Sequence, residues 1–416
     1  MSASNTFGTP DNAVGTLNGL FKETYADKLQ ELIPDGVKLL NRIKFMSKDK
    51  QPGNLYHQPV ILGMEHGITF ASSDDDAFNL QPPVAGTIKD AQVRGNPVLL
   101  RSVLGYTAAS RAAQGGAKAF MDATKFLVAN MLRSMAKKLE IEMLYGQVGY
   151  GTTSGAVTSV VTINTAQWAP GIWAGAEGMP IEIRNSAGTV SRGQFSVASV
   201  DMDARTITLN ADAAAAGVVN TDVIWHKGAY GNEFPGIHKI LTSTGTLFNI
   251  DTAAYNLFKG NEYSAAGGAL TFVKLQKAIA RAVEKGLDSK VLVLVNPRGW
   301  SDLLNDQSAL RTYDGSYSPA KAENGSKSIM FHSQNGDMEI EPSIYVKEGF
   351  AYALCLDEWC RVGSSDMSFK RPGKEGDFFR EQDNAAGYEL RLWSDQAVFC
   401  YAPGKNTLIS SIVNVA

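Results

Sequence analysis

Residues Ala117 to Tyr145 form one uninterrupted helical pattern, about 40 Å long at roughly 1.5 Å rise per residue, and no other segment constrains the fold of this chain as strongly. Glycines bracket it (Gly115, Gly116 and Gly146) and no proline interrupts it, whereas an average globular helix is only about 11 to 12 residues long. Wound at about 100° per residue, Phe120, Leu127, Val128, Met131, Leu132, Met135, Leu139 and Met143 share one broad face. Asp122, Asn130, Arg133, Lys137 and Glu140 share the other. One side must therefore be covered. The segment reads either as a long core helix of an α+β enzyme or as a beam spanning a structural subunit, and its flanks decide between the two.

Ahead of the helix the chain is extended. Tyr56 to Leu62, Gly67 to Ala71, Thr87 to Val93 and Val98 to Tyr106 read as strands separated by glycines and prolines. Ser72 to Asp76 through Pro82-Pro83 reads as an exposed tip. The apolar residues of this excursion never reach the density of a core of their own. An isolated hairpin is marginal in water, and long loops within a domain are uncommon unless functional, so the arm has to rest on something else. An active-site lid is one possibility; a neighbouring copy of the chain is the favoured one. Further upstream, Leu17, Leu20, Phe21, Tyr25, Leu29 and Leu32 recur at helical spacing and stop before Pro34, followed by a charged, turn-rich linker from Lys48 to Gly53.

Beyond the helix, residues 147 to 236 read as a small β unit: Thr158 to Ile163, Met179 to Arg184, Gly193 to Asp201, Thr206 to Leu209 and Asp222 to His226. An α/β texture follows. Thr271 caps a helix lined by Phe272, Leu275, Ile279 and Val283 and stopped by Gly286, and the strand Lys290 to Val295 comes next. Asn296-Pro297 then starts a second helix through Trp300, Leu303 and Leu304. Ile329 to His332 and Met338 to Ile340 flank the hairpin signal Asn335-Gly336. Ile344 to Lys347 and Phe350 to Leu356 read as a second pair around Glu348-Gly349, which predicts a mixed sheet. Tyr388 to Trp393, Ala397 to Tyr401 and Thr407 to Val413 close the chain as strands.

Composition excludes more than it selects. With 416 residues, 44% of them hydrophobic, the chain can bury a sizeable core, and a net charge of -3 provides no footprint for tight nucleic-acid or membrane binding. The start is not a secretory signal, and the apolar runs fall short of the roughly 20 residues a spanning helix needs. Cys355, Cys360 and Cys400 make no disulfide framework and read as buried and inert. The five histidines (His57, His66, His226, His238 and His332) lack metal-site spacing and read as surface or interface residues. Gly146 to Gly151 leaves a helix instead of joining a strand to one, so it fails as a dinucleotide loop. Gly404-Lys405-Asn406-Thr407 lacks the upstream glycine of a phosphate-binding loop and reads as a β-turn. Asp74 to Asp76 has Asn79 and Ala85 where a calcium loop needs glycine and glutamate. Neither a catalytic constellation nor a cofactor or metal site is expected.

The order of parts (N-terminal arm, extended β-loop, long helix, β-rich segment, α/β domain, closing strands) resembles the major capsid protein of tailed bacteriophages, the Hong Kong ninety-seven fold, across essentially the whole chain. The most telling segments are Val291-Leu292-Val293-Leu294-Val295-Asn296-Pro297 with the Trp300 helix, and Tyr388-Glu389-Leu390-Arg391-Leu392-Trp393 leading to Tyr401-Ala402-Pro403-Gly404-Lys405-Asn406. The resemblance implies an α+β fold: N-terminal arm 1–50, extension loop 51–113, spine helix 114–146 of a peripheral domain, β-rich segment or insertion 147–236, α/β axial domain 237–376 and return strands of the peripheral domain 377–416. It implies a non-enzymatic shell subunit that forms hexamers and pentamers around a DNA genome, with Leu20, Phe21, Tyr25, Leu55, Ile61, Phe70 and Phe78 at inter-subunit contacts. A separate scaffold protein, a portal, a possible decoration protein and weak contact with packaged DNA are the implied partners, with no membrane. Assembly in the host bacterial cytoplasm and residence in the virion follow. The rivals are an encapsulin-like nanocompartment shell, an enzyme with residues 54–110 as its lid, and a surface-array protein.

Overall fold

The long amphipathic pattern is a helix whose C-terminal part is enclosed on every side. The computed structural model describes residues 36–46, 54–74, 77–105, 123–306, 329–333, 336–369, 379–381 and 387–415. The expected helix at Leu17 to Leu32, the 48–53 linker and the first turns of the long helix, including Phe120 and Asp122, lie outside them. In chain order the first elements are α1 (Leu39–Arg42), β1 (Tyr56–Gly63), β2 (Thr87–Val93), β3 (Asn96–Gly105) and the spine helix α2 (Ala123–Tyr145). Met131, Met135, Leu139 and Met143 are buried as the periodicity requires, but Leu132 is exposed and Glu140, placed on the polar face, is fully buried. The reason is α1. It packs across the spine, and the Glu140 carboxylate accepts the backbone N–H groups of Lys38, Leu39 and Leu40 at 2.9–3.1 Å. Those are donors that the start of a helix leaves without partners, so a buried acid serves where hydrophobic periodicity alone predicts solvent.

The β unit is a closed six-stranded barrel. Its strands are β4 (Gly151–Val157), β5 (Val160–Ile163), β6 (Pro180–Arg184), β7 (Ser191–Asp201), β8 (Thr206–Leu209) and β9 (Val223–His226), in the order β4-β5-β8-β7-β6-β9. Sequence reading misses β4, whose run of glycine, threonine and serine carries little apolar signal, yet β4 closes the ring by pairing with both β5 and β9. Closure removes the exposed edges of an open sheet. Val161, Ile181, Ile183, Phe195, Ile207 and Ile224 are among the residues buried within it. Between β5 and β6, the short helix α3 (Pro170–Trp173) brings Trp173 parallel to Trp168, with ring centroids 6.2 Å apart. The chain enters and leaves the barrel where Gly146 and Gly236 cross. The Gly236 N–H donates to the Gly146 carbonyl at 2.9 Å, and a Cβ on Gly146 would strike the Phe234 carbonyl.

After the barrel come α4 (Ile237–Leu241), the short ladder β10 (Thr246–Leu247) with β11 (Ile250–Asp251), β12 (Asn261–Ser264), α5 (Phe272–Val283), β13 (Val291–Val295), α6 (Pro297–Asn305), β14 (Ile329–Ser333), β15 (Gly336–Pro342) and β16 (Ala351–Leu354). Thr271 and Asn296 cap α5 and α6 as expected, each side chain accepting a backbone N–H of the first turn. The last strands are β17 (Trp359–Ser368), β18 (Phe379–Glu381), β19 (Gly387–Cys400) and β20 (Thr407–Ser410). A mixed six-stranded sheet runs β12-β20-β16-β13-β15-β14. On β13, Val291, Val293 and Val295 join the cluster under α5 and α6, while Leu292 and Leu294 join the cluster shared with the spine. A strand covered on both faces reads as an unbroken apolar run.

Three expectations change. Gly67 to Ala71 forms no strand. Ile344 to Lys347 is not the partner of β16, which pairs with β13 and β20 instead. Its backbone is occupied elsewhere: the Gly171 N–H donates to the Ile344 carbonyl, and the Glu348 and Gly349 N–H groups donate to the carbonyls of Trp168 and Ala166, at 2.8–2.9 Å. This loop fastens the barrel to the body. Third, Tyr388 to Tyr401 is not two strands but the single long β19, which pairs with β3, β17 and β18. The final strand β20 lies in the six-stranded sheet, away from the β19 sheet that the expected return strands would share.

Candidate assembly surfaces

The hairpin β1–β2 has a buried root and a bare end. Its antiparallel register runs from Tyr56 opposite Val93 to Gly63 opposite Thr87. Ala91 and Val93 are buried, the Tyr56 ring stands edge-on to Phe399 with centroids 5.9 Å apart, and the Gln92 N–H donates to the Phe248 carbonyl at 2.9 Å. Beyond that root the side chains meet solvent. Of the expected contact residues, Leu55 is 36%, Ile61 74%, Phe70 91% and Phe78 50% exposed; Leu20, Phe21 and Tyr25 lie outside the described residues. Met64, Ile68, Leu80, Val84 and Ile88 are exposed as well, and sequence reading did not single them out. Their spacing follows no helix or strand period, so the signal available was apolar residues scattered through a glycine- and proline-rich stretch. On the flank of the arm the His57 imidazole and Asp90 carboxylate meet at 2.6 Å. Hydrogen bonds from Gln92, and then from His57, hold the Asp90 carboxyl below its usual range.

A second exposed face lies where β3 pairs with β19. Leu99 sits opposite Trp393 and Val103 opposite Glu389, and Leu99, Val103 and Trp393 are partly open to solvent. Arg101 and Arg391 are also cross-strand neighbours, a repulsive arrangement relieved by Glu389. Glu389 accepts from both guanidinium groups, Arg391 first and Arg101 second in effect, and its carboxyl is held low.

No protein-family model and no curated protein matches the chain. Solved structures do match. One chain of the capsid asymmetric unit of cyanophage A-1(L) aligns at a TM-score of 0.57 and 12% identity, covering 96% of this chain and 99% of that one. The capsid of a native GTA particle aligns at 0.53 and 9% identity, over 97% and 99% of the two chains. A chain of Mycobacterium phage Bobi aligns at 0.52 and 10%, over 96% and 98%. The fold is that of a tailed-phage major capsid protein. At such identities the likeness is one of architecture, kept by packing while nearly all side chains differ.

Among the buried polar clusters of the described residues, two adjoin the C-terminal part of the spine helix. Lys138 donates to Glu233 at 2.7 Å and to the Tyr150 hydroxyl at 2.9 Å, while no hydrogen bond of ordinary geometry reaches either oxygen of the neighbouring Glu142. Burial pushes the Glu142 carboxyl up to about 7, against the pull of Lys138. The second cluster joins barrel, spine and sheet. The Lys347 ammonium donates to the Gly149 carbonyl at 3.0 Å and lies over the Tyr145 ring, and burial brings it down to about 7. His238, expected at a surface or interface, stands instead beside Phe350 and shares a hydrogen bond with the Tyr352 hydroxyl; burial lowers it to about 3. Cys355 and Cys400 are buried and Cys360 partly so, and burial raises all three thiols, which disfavours thiolate chemistry.

Glu142 carries a pH prediction. Its folded value lies above the ordinary 4.5, so below pH 4.5 it is protonated in both states and neutral about the fold, whereas between pH 4.5 and 7 the unfolded chain gives up the proton and the folded chain keeps it. The contribution of this group to stability therefore falls as pH rises through that window, by up to about 3 kcal/mol. Because His238, lowered to about 3, works in the opposite sense up to pH 6.5 in both proteins, the readout is the difference: urea unfolding should show the stability of the native chain relative to Glu142→Gln falling between pH 5 and pH 7, and a constant difference would contradict it.

Proposed function

We propose that this chain is the structural subunit of an icosahedral, phage-type shell, assembling through hexamers and pentamers to enclose DNA. The observation that carries the reading is the hairpin, rooted in the core yet bearing Ile61, Met64, Ile68, Phe70 and Leu80 uncovered at its far end. Exposed apolar side chains gathered in one segment, beyond the scattered few that any protein surface carries, mark a contact site. A stable pairwise interface buries about 1,200–2,000 Å², and in a closed symmetric shell every copy both gives and receives an arm, so modest contacts add up through their number. The structural likeness to phage capsids supports this reading and favours a structural over a catalytic role. A separate scaffold, a portal and a decoration protein are the partners such a shell would use, with assembly in a bacterial host.

Negative-stain microscopy of the purified full chain tests the proposal. Closed, uniform particles are expected, and nuclease-protected DNA of genome length inside particles from infected cells separates a phage shell from a compartment filled with enzyme. A monodisperse monomer whose 64–86 amides are strongly protected from hydrogen exchange would defeat the proposal.

A further inference from the structure

A basic concavity of about 270 Å³ lies at the C-terminal end of α5, bounded by α4, the 256–262 segment and the start of β12. Three cations line it: Lys259, Arg281 and Lys285. In a chain of net charge -3 that is a local reversal of sign. Among the described residues none of the three lies within salt-bridge distance of a carboxylate, and burial first, with the Lys259 charge second, lowers the Lys285 ammonium. Their known bonds go to neutral oxygens: Lys285 donates to the Lys259 carbonyl at 2.9 Å and to the Asn256 side-chain oxygen at 3.3 Å, and Arg281 donates to the Glu262 carbonyl and covers the Tyr263 ring. Guanidinium and ammonium groups have five and three N–H donors respectively, so donors remain for a ligand. The single carboxylate in the lining, Glu262, accepts the Ser410 hydroxyl at 3.1 Å. Thr242 and Thr244 complete the polar wall. The negative end of the α5 dipole accounts for a cation in its last turn, but not for three cations converging on one hollow with one acid among them.

We propose that this hollow is a phosphate site, taking one phosphate group through Lys259, Arg281 and Lys285. The hollow is ample for a tetrahedral oxyanion, and charge-assisted hydrogen bonds from a guanidinium fork and two ammonium groups are the chemistry that selects it. The phosphate comes from a nucleic-acid backbone or from a free phosphate compound; the nucleic-acid source rests on the shell reading above, whereas the site itself does not.

The test uses the full-length chain and the double variant Lys259→Gln/Lys285→Gln, with Lys259→Arg as the charge-keeping control. Inorganic phosphate is titrated by phosphorus NMR line broadening, a 20-base-pair duplex by fluorescence anisotropy at several salt concentrations, and particle yield is read by microscopy. The native chain and Lys259→Arg should bind, and the double variant should bind at least tenfold more weakly, its duplex salt slope falling by roughly one. Loss of both ligands identifies a backbone phosphate, and loss of inorganic phosphate alone identifies a free compound; either result supports the site. Unchanged binding of both ligands overturns it. So does a double variant that loses only particle formation, which would show the cations holding a neighbouring copy's carboxylate. If the native chain binds phosphate but forms no particles, the shell reading fails while the site stands.

Discussion

Replacing residues 64–86 with an Asn-Gly turn should yield a folded, soluble chain that does not close into shells. Asn-Gly supplies the two-residue turn that the twist of paired strands favours, and it would join Gly63 to Thr87 where the hairpin register already places them opposite one another. No described residue from 64 to 86 is buried, so the excision removes little that stabilises the single chain. The root survives, because Tyr56, Ala91, Val93 and the Gln92 hydrogen bond to Phe248 are untouched. The unfolding midpoint of the shortened chain in urea should stay within about 1 kcal/mol of the native value. Sedimentation and microscopy should nevertheless find single capsomers or monomers in place of particles. A milder pair, Ile61→Ser with Phe70→Ser, should lower particle yield in the same direction. Normal shells from the shortened chain would refute a role for the arm in assembly.

Asn406→Ala should destabilise the chain by about 3–5 kcal/mol, the sum of two orphaned buried donors and lost packing. Asn406 is fully buried. Its side-chain oxygen accepts the Cys355 N–H at 2.8 Å and the Trp359 indole N–H at 2.9 Å, and its amide donates to the Ala402 carbonyl at 3.1 Å. Its own carbonyl accepts the Asn261 N–H at 3.1 Å. One side chain thus links the end of β16, the start of β17 and the turn that leads into β20. Against a typical total stability of about 5–15 kcal/mol, the loss would send much of the protein to the insoluble fraction at 37 °C. Urea denaturation of the soluble remainder measures it; a change under about 1 kcal/mol would mean that water replaces the lost acceptor.

Both predictions rest on residues that sequence reading handles unequally. Asn406 lies in a segment legible as a turn, and the structure has a turn there, a short 3₁₀ helix at Pro403–Lys405. Its role as a hub was not legible, because its partners at Cys355 and Trp359 are about fifty residues away. The same holds for Glu140, whose position on the helix wheel predicts solvent until α1 is seen to deliver three N–H groups to it. Strand β4 escaped notice because barrel closure depends on backbone pairing more than on side-chain pattern. The Ile344 to Lys347 segment carries a good strand pattern, yet its backbone partners are the Trp168–Gly171 region rather than a neighbouring strand. By contrast, the α5 and α6 caps, the apolar run of β13 and both strands of the hairpin were readable, since each is set by contacts within a few residues or by a simple periodicity.

The amino-acid order by itself therefore determined the sequence of parts: a long two-faced helix, an arm without oily mass of its own, a β unit and an α/β unit. Helical and strand periodicity, caps and turn residues act over short distances, and nothing further along the chain is needed to state them. Only the tertiary structure decided that the β unit closes into a barrel, that the final strand enters the six-stranded sheet, and that Glu140 and Lys347 are enclosed. It also decided that three cations share one hollow. Those outcomes depend on which distant backbone groups and side chains meet, and on burial that penalises every unpaired charge, neither of which is written in local pattern.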